Sequence, residues 1–198
     1  MRFRITYNSP VILTLALLAI AVHGVDALTP GHFTREFFAL PGRFHWNAPL
    51  DWVRLVTWPF GHADWSHLAG NLVMVLVIGP LIEEKYGSSM LVEMALITTL
   101  VTAVLNLVLF HAGLMGMSGL VFMLIVLSSV TNLKGGRIPL TFLLVAGLFL
   151  GREVVDAFHN DRVSQFAHIL GGVCGSVFGF LSGKVLPGNA VINRSAGK

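Results

Sequence analysis

The sequence predicts an all-α integral membrane protein, a bundle of six transmembrane helices with a partly embedded first loop. Three observations carry that prediction. Apolar residues make up 55% of the 198 positions and charged residues only 12%, about half the share of roughly 25% usual in soluble domains. Apolar runs broken by Gly, Pro and charged residues recur along the whole chain. Alternating strand patterns are absent, and lipid tolerates no open sheet edge, so the spans are helices. No soluble segment is left over, which makes residues 1–198 one membrane domain.

The expected spans cover about 10–28, 68–82, 90–110, 119–131, 138–150 (extending to 158) and 166–186. A full crossing takes about 20 apolar residues, so the first, third and sixth qualify by themselves. The second and fourth read as short, and both carry polar residues at one end. The first segment, preceded by Arg2 and Arg4, also resembles a secretory signal. Residues from Thr29 onward read as a loop feeding the next helix, which favours a retained span. That loop, 29–64, holds Phe33, Phe37, Phe38, Phe44, Trp46, Trp52, Trp58 and Phe60. Such aromatic density favours the headgroup region, although an ordinary packed extracytoplasmic loop is an equal reading. Placing both termini in the cytoplasm puts Arg2, Arg4, Lys85, Lys134, Arg137, Lys184, Arg194 and Lys198 on one side, as the positive-inside rule asks.

Composition also excludes function classes. The single cysteine, Cys174, rules out a disulfide framework and a Cys-based zinc site, and reads as a packing residue. The net charge of +3 is dispersed, with no basic stripe for nucleic acid. No cofactor is called for, and the sequence is silent on oligomeric state.

Polar groups at membrane depth are costly, which makes each a functional candidate. His67 and Asn71 stand four residues apart at the head of the second helix, on one face beside Gly70. Both can donate side-chain hydrogen bonds; a polar clasp between helices is the competing reading. Gly116-Met117-Ser118-Gly119 begins the fourth helix, where backbone N–H groups lack intrahelical partners and favour negative charge. An ordinary serine N-cap is the alternative there. In the sixth helix His168 precedes Gly171, Gly175, Gly179 and Gly183, a stripe of small residues for close helix contact. A structural histidine would fit that position too.

Together these groups could hydrolyse a peptide. Ser118 needs a base to become nucleophilic, and the His168 imidazole can take the proton and return it to a leaving amine. No intramembrane carboxylate stands ready to orient His168, so the pair would be a dyad. His67, Asn71 and the Ser118 backbone N–H could bind the oxyanion. On the expected topology all three elements meet at one depth near the extracytoplasmic side.

The order His67-x-x-x-Asn71, Gly116-x-Ser118-Gly119 and Ala167-His168-x-x-Gly171-x-x-x-Gly175 resembles the rhomboid family. Phe60-Gly-His62, Glu83-x-x-x-Gly87 and Arg54 extend the resemblance, although Trp52-Val53-Arg54 interrupts the family's adjacent Trp-Arg pair. The resemblance implies an intramembrane serine endopeptidase that cleaves transmembrane proteins near their outer ends. It implies Ser118 as nucleophile, His168 as base and His67 and Asn71 as oxyanion donors, with neither metal nor organic cofactor. Phe122, one turn after Ser118, replaces a tyrosine found in many relatives and keeps a ring to pack on His168. A minimal enzyme of this kind suits a bacterial inner membrane. Two other classes compete: a relative that only binds transmembrane helices, and a metal-dependent hydrolase using His62, His67 and His168.

Overall fold

A computed structural model describes residues 7–29, 32–132 and 162–185, with four further helical positions at 140, 144, 147 and 148. The expected span 138–158 therefore falls almost entirely outside the described residues. Helix α1 runs over Pro10–Leu28, and two short helices, α2 (Phe33–Phe37) and α3 (Pro49–Thr57), build the first loop. A 3-10 turn at Trp58–Phe60 leads into α4 (Trp65–Tyr86), α5 (Ser88–Leu109) and α6 (Ser118–Asn132). The last described helix, α7, spans Arg162–Val185. Helices α1, α4 and α5 are long and apolar enough to cross a membrane, and shorter apolar stretches occupy Ser118–Ser129 and Gln165–Leu181.

The second predicted span proves longer than its apolar core of 68–82. Asp64 caps α4 by accepting the His67 N–H at 2.8 Å, so the helix starts a turn before the apolar run. Gly87, with φ of 82°, ends it, because a left-handed residue stops a helix and glycine adopts that conformation freely. Pro80 stays within the helix, as membrane helices permit. The described part of the fourth span, Ser118–Asn132, is 15 residues of helix.

Helix α1 begins at Pro10 without a side-chain cap of its own. The buried carboxylate of Glu83, from the last turn of α4, accepts the N–H groups of Val11 and Ile12 at 3.0 Å each. It also accepts the Ser88 hydroxyl at 2.7 Å. A carboxylate at a helix N-terminus satisfies orphan donors and complements the helix dipole. The same junction is tight higher up, where a side chain at Gly79 would strike Ile12.

Helix α6 lies at the centre. Leu120 through Ile125 and Leu127 are all buried, flanked by α4, α5 and α7. The α6–α7 contact is the most extensive among the described helices. Helix α5 buries Thr98, Thr102 and Asn106 at one-turn spacing, and Thr98 donates to the Met123 sulfur of α6 at 3.1 Å. The outer faces are apolar instead: Val73, Val77 and Leu81 on α4 and Leu96, Leu100, Val104 and Val108 on α5 are exposed. A helix that buries hydroxyls and exposes valine and leucine is arranged for a lipid solvent. Cys174 is buried in α7, as a packing residue should be.

The first loop is ordered by a buried ion pair. Asp51 accepts from the Arg54 guanidinium at 2.6 Å and from the His45 backbone N–H at 2.9 Å, with the His45 ring also at 2.9 Å. Burial works to raise the Asp51 pKa, but the bonds from His45 and Arg54 outweigh it and hold the carboxyl below its usual range. Arg54 also donates to the Glu36 carbonyl, joining α3 to α2. The aromatics divide between two tasks. Trp58 is buried, whereas Trp46 and Trp52 face outward.

Candidate functional site

The site is built around the segment that delivers the chain from α5 into α6. This stretch, 110–117, is held at several points. The Asn106 amide donates to the Ala112 carbonyl at 2.8 Å. Leu40 and Leu114 exchange both backbone bonds, at 2.9 and 3.0 Å, in an isolated antiparallel bridge. The Gly116 N–H reaches the Trp58 carbonyl at 3.1 Å. The Met117 N–H points at Nε2 of His62, 3.5 Å away, while Nδ1 of His62 lies 3.2 Å from the Phe60 carbonyl. That pattern requires a neutral ring carrying its proton on Nδ1. Burial, reinforced by the neighbouring His67, lowers the His62 pKa to about 4, which keeps it in that form near neutral pH.

The Met117 carbonyl accepts the Val121 N–H at 3.0 Å, which makes Met117 the cap and Ser118 the first residue of α6. Helix geometry then leaves the Ser118 N–H without an intrahelical acceptor. Gly116 has φ of 106°, a conformation that glycine adopts without steric cost. A methyl group there would lie 2.7 Å from Cε1 and 3.0 Å from Nε2 of His67. Glycine therefore lets the His67 imidazole sit directly against the backbone that precedes Ser118.

His67 and Asn71 occupy successive turns of α4, as their spacing predicts. The His67 ring stands edge-on to that of His62, with centroids 5.0 Å apart. Asp64, one turn before Leu68, has its carboxyl held below the usual range by the His67 backbone N–H. Asn71 is only 3% exposed, and its amide nitrogen has no hydrogen-bond acceptor among the described residues. A buried amide donor without an acceptor costs about 1–3 kcal/mol, so its retention calls for a reason.

On the other side, α7 meets α6 backbone to backbone. A side chain at Gly171 would collide with the Gly119 carbonyl, and one at Gly175 with the Met123 carbonyl. A side chain at Gly119 would come within 3.2 Å of the Ala167 carbonyl. The two helices thus run in register, with Gly119 and Met123 one turn apart facing Gly171 and Gly175 one turn apart. The buried His168 ring stacks on Phe122 at 4.5 Å, with planes inclined by 14°. Ser118 precedes Gly119 and stands one turn before Phe122, so it and His168 belong to the same end of this contact.

Contacts join His67 to Gly116, Gly119 to Gly171 and Phe122 to His168, while Ser118 opens α6 and Asn71 lies one turn after His67 on α4. One contributor was not singled out by the motifs, and the role of another was not foreseen. Asn106 was hidden in an apolar helix, where an amide at membrane depth was the available signal. His62 was legible as part of Phe60-Gly-His62, but its grip on Met117 was not. Among the described residues no three His, Cys, Asp or Glu side chains converge as metal ligands. The three imidazoles weighed from the sequence as zinc ligands do not converge: His62 and His67 adjoin each other, while His168 of α7 stacks on Phe122 of α6.

The rhomboid domain model matches residues 49–185. The chain belongs to the rhomboid family. This rhomboid is 27% identical over 149 residues to rhomboid-like protein 11, chloroplastic, of Arabidopsis thaliana. The match covers 67% of the chain and 53% of the plant protein, so the chain spans about half the length of the curated relative it matches. Family membership and the apolar helices together make it an integral membrane protein.

Proposed function

We propose that this rhomboid is an intramembrane serine endopeptidase, with Ser118 as nucleophile and His168 as general base. The observation that carries the reading is the α6–α7 contact. Glycines bring the two backbones together so that an imidazole stacked on Phe122 lies at the end of α6 that begins with Ser118. In the proposed reaction the Ser118 hydroxyl attacks the scissile carbonyl carbon as its proton passes to His168. The negative charge that develops on oxygen meets the Ser118 N–H, the Asn71 amide and the His67 ring. Collapse breaks the C–N bond, His168 returns the proton to the departing amine, and water releases the acyl group by the reverse sequence. The acceptor-free amide of Asn71 supports an oxyanion role, since a donor reserved for the transition state has no ground-state acceptor.

The substrates are transmembrane proteins, cut near the membrane face at which α4 and α6 begin. The full bundle would have six spans in a single domain, with residues 138–158 as the fifth and the first loop resting among lipid headgroups. The distribution of Lys and Arg supports a reading in which that face lies outside the cytoplasm and both termini inside, the membrane being a bacterial inner membrane.

The test is cleavage of a generic transmembrane substrate by purified protein in detergent, comparing wild type with Ser118→Ala and His168→Ala. Loss of cleavage in both variants, with folding intact and no effect of chelator, upholds the dyad. Full activity in Ser118→Ala rejects the serine mechanism. A wild type silent across several substrates would favour a protein that binds transmembrane helices without cutting them.

A further inference from the structure

A second site lies apart from Ser118, on the outer flank of the molecule. Between the first loop and α5 is a cavity of about 540 Å³, within the roughly 300–1,000 Å³ range of ligand pockets. One wall is the membrane-facing side of α5, where Val104 and Val108 are exposed. The other wall is aromatic. Phe44, Trp46 and Trp52 pack mutually edge-on, with centroids 5.2–5.6 Å apart. The Trp52 indole N–H is spent on the Trp46 carbonyl at 3.1 Å, so the ring presents only apolar surface. Trp46 is nevertheless 73% exposed, and so much exposed indole marks a surface that meets something other than water.

Arg43 stands at the rim, exposed, with no carboxylate partner among the described residues. Helices α4 and α5 run in opposite directions, so the C-terminal end of α5 returns to the face at which the first loop lies. The arginine therefore sits at that membrane surface while the cavity runs alongside the span below it. An apolar slot parallel to a transmembrane helix, closed at headgroup level by a free guanidinium, has the chemistry of one ligand class.

We propose that this cavity binds a single anionic glycerophospholipid from the surrounding leaflet, one acyl chain lying between α5 and the tryptophans and the phosphate on Arg43. The site has a route to Ser118. Gly42, which lines the cavity, lies so close to the His111 carbonyl that it admits no side chain. Leu40 is bridged to Leu114, four residues before Ser118. A bound lipid braces the loop against the segment that sets the start of α6, and so raises cleavage. This last consequence rests on the protease reading; lipid binding does not.

The test uses the full chain purified in detergent and offered phosphatidylglycerol carrying brominated acyl chains. Retained lipid is counted by native mass spectrometry, and contact is read by tryptophan quenching. The expected result is about one lipid retained per chain, with phosphatidylglycerol preferred over phosphatidylcholine. Arg43→Gln should reduce that preference about fivefold, the scale of one basic residue at an anionic surface. Val108→Trp should fill the slot and abolish retention, and Val104→Trp provides an independent filling variant. A preference for phosphatidylglycerol unchanged in Arg43→Gln, or retention unchanged in both filling variants, overturns the proposal and leaves a non-specific lipid annulus. Cleavage is assayed separately. A chain that holds lipid but cuts nothing upholds the site and removes the protease reading, and the converse result does the opposite.

Discussion

The imidazole of His168 lies almost parallel to the phenyl ring of Phe122, 4.5 Å away. Position 122 is one turn from Ser118, so the ring that orients the proposed base is anchored to the helix that carries the proposed nucleophile. Stacking of this kind contributes about 0.5–1.5 kcal/mol. Replacing Phe122 with Leu should therefore lower kcat/KM by about 2–10-fold while leaving KM nearly unchanged. Phe122→Tyr, which keeps the ring, should retain activity. Steady-state cleavage of a transmembrane substrate, with thermal unfolding measured in parallel, separates misorientation of His168 from loss of fold.

Gly116→Ala tests the seat of His67. The new methyl would enter the space of the imidazole, 2.7 Å from Cε1, and alanine would be forced to a φ of 106°. The backbone alone costs about 1–2 kcal/mol. Because His67 must also move, cleavage should fall by more than that strain explains, on the order of 10²-fold, the scale of losing one oxyanion donor. A drop in Tm with cleavage retained would show that His67 tolerates displacement.

The glycines of α7 are not equivalent. Gly171→Ala and Gly175→Ala would each drive a methyl into an α6 carbonyl, and overpacking of this kind costs about 1–3 kcal/mol. Gly172→Ala would meet only the Val126 side chain at 3.6 Å, an ordinary contact. The first two variants should unfold at lower denaturant or temperature than wild type, and the third should not. Equal stability across all three would contradict the in-register packing of the two helices.

His62 should give the protein a sensitivity to mild acid. Its folded pKa of about 4 lies below the usual 6.5, so the unfolded chain binds more protons between those values. Stability contributed by the neutral ring is complete above about pH 6.5 and is lost as pH falls towards 4. At about 1.4 kcal/mol per unit, the most that can be lost is about 3 kcal/mol. His62→Gln, whose amide oxygen can still face the Met117 N–H, should flatten the stability profile in that window. Below it, Asp51 and Asp64 take over, since both are held below their usual range and lose their contribution on protonation.

Much of this site was legible because helices convert spacing into geometry. A spacing of four placed His67 beside Asn71, and the same spacing made a contact stripe of Gly171 and Gly175. The length of α4 was less legible. The apolar run read as 68–82, with the charged run from Glu83 to Lys85 beyond it, whereas the helix extends over Trp65–Tyr86 and takes that run in. Asp64 caps the start, and Glu83 is satisfied by α1. The internal order of the first loop was also hidden, because no local periodicity announces that Asp51 will meet both His45 and Arg54. Nor does composition tell the buried Trp58 from the exposed Trp46. Which indole goes inside is decided by the backbone around it, whose Trp58 carbonyl receives the Gly116 N–H.

The capping of α1 by Glu83 separates two notions of a domain. The segment by which kinship is recognised, 49–185, contains Glu83 but excludes Val11 and Ile12, whose N–H groups the carboxylate holds. A polypeptide cut before residue 49 would keep every residue proposed for chemistry and yet leave the Glu83 carboxylate, among the described residues, with the Ser88 hydroxyl alone. Kinship is written in the later helices, but self-sufficiency is not. Transplanting the recognisable segment alone into another protein would carry over its motifs without the means to keep them standing.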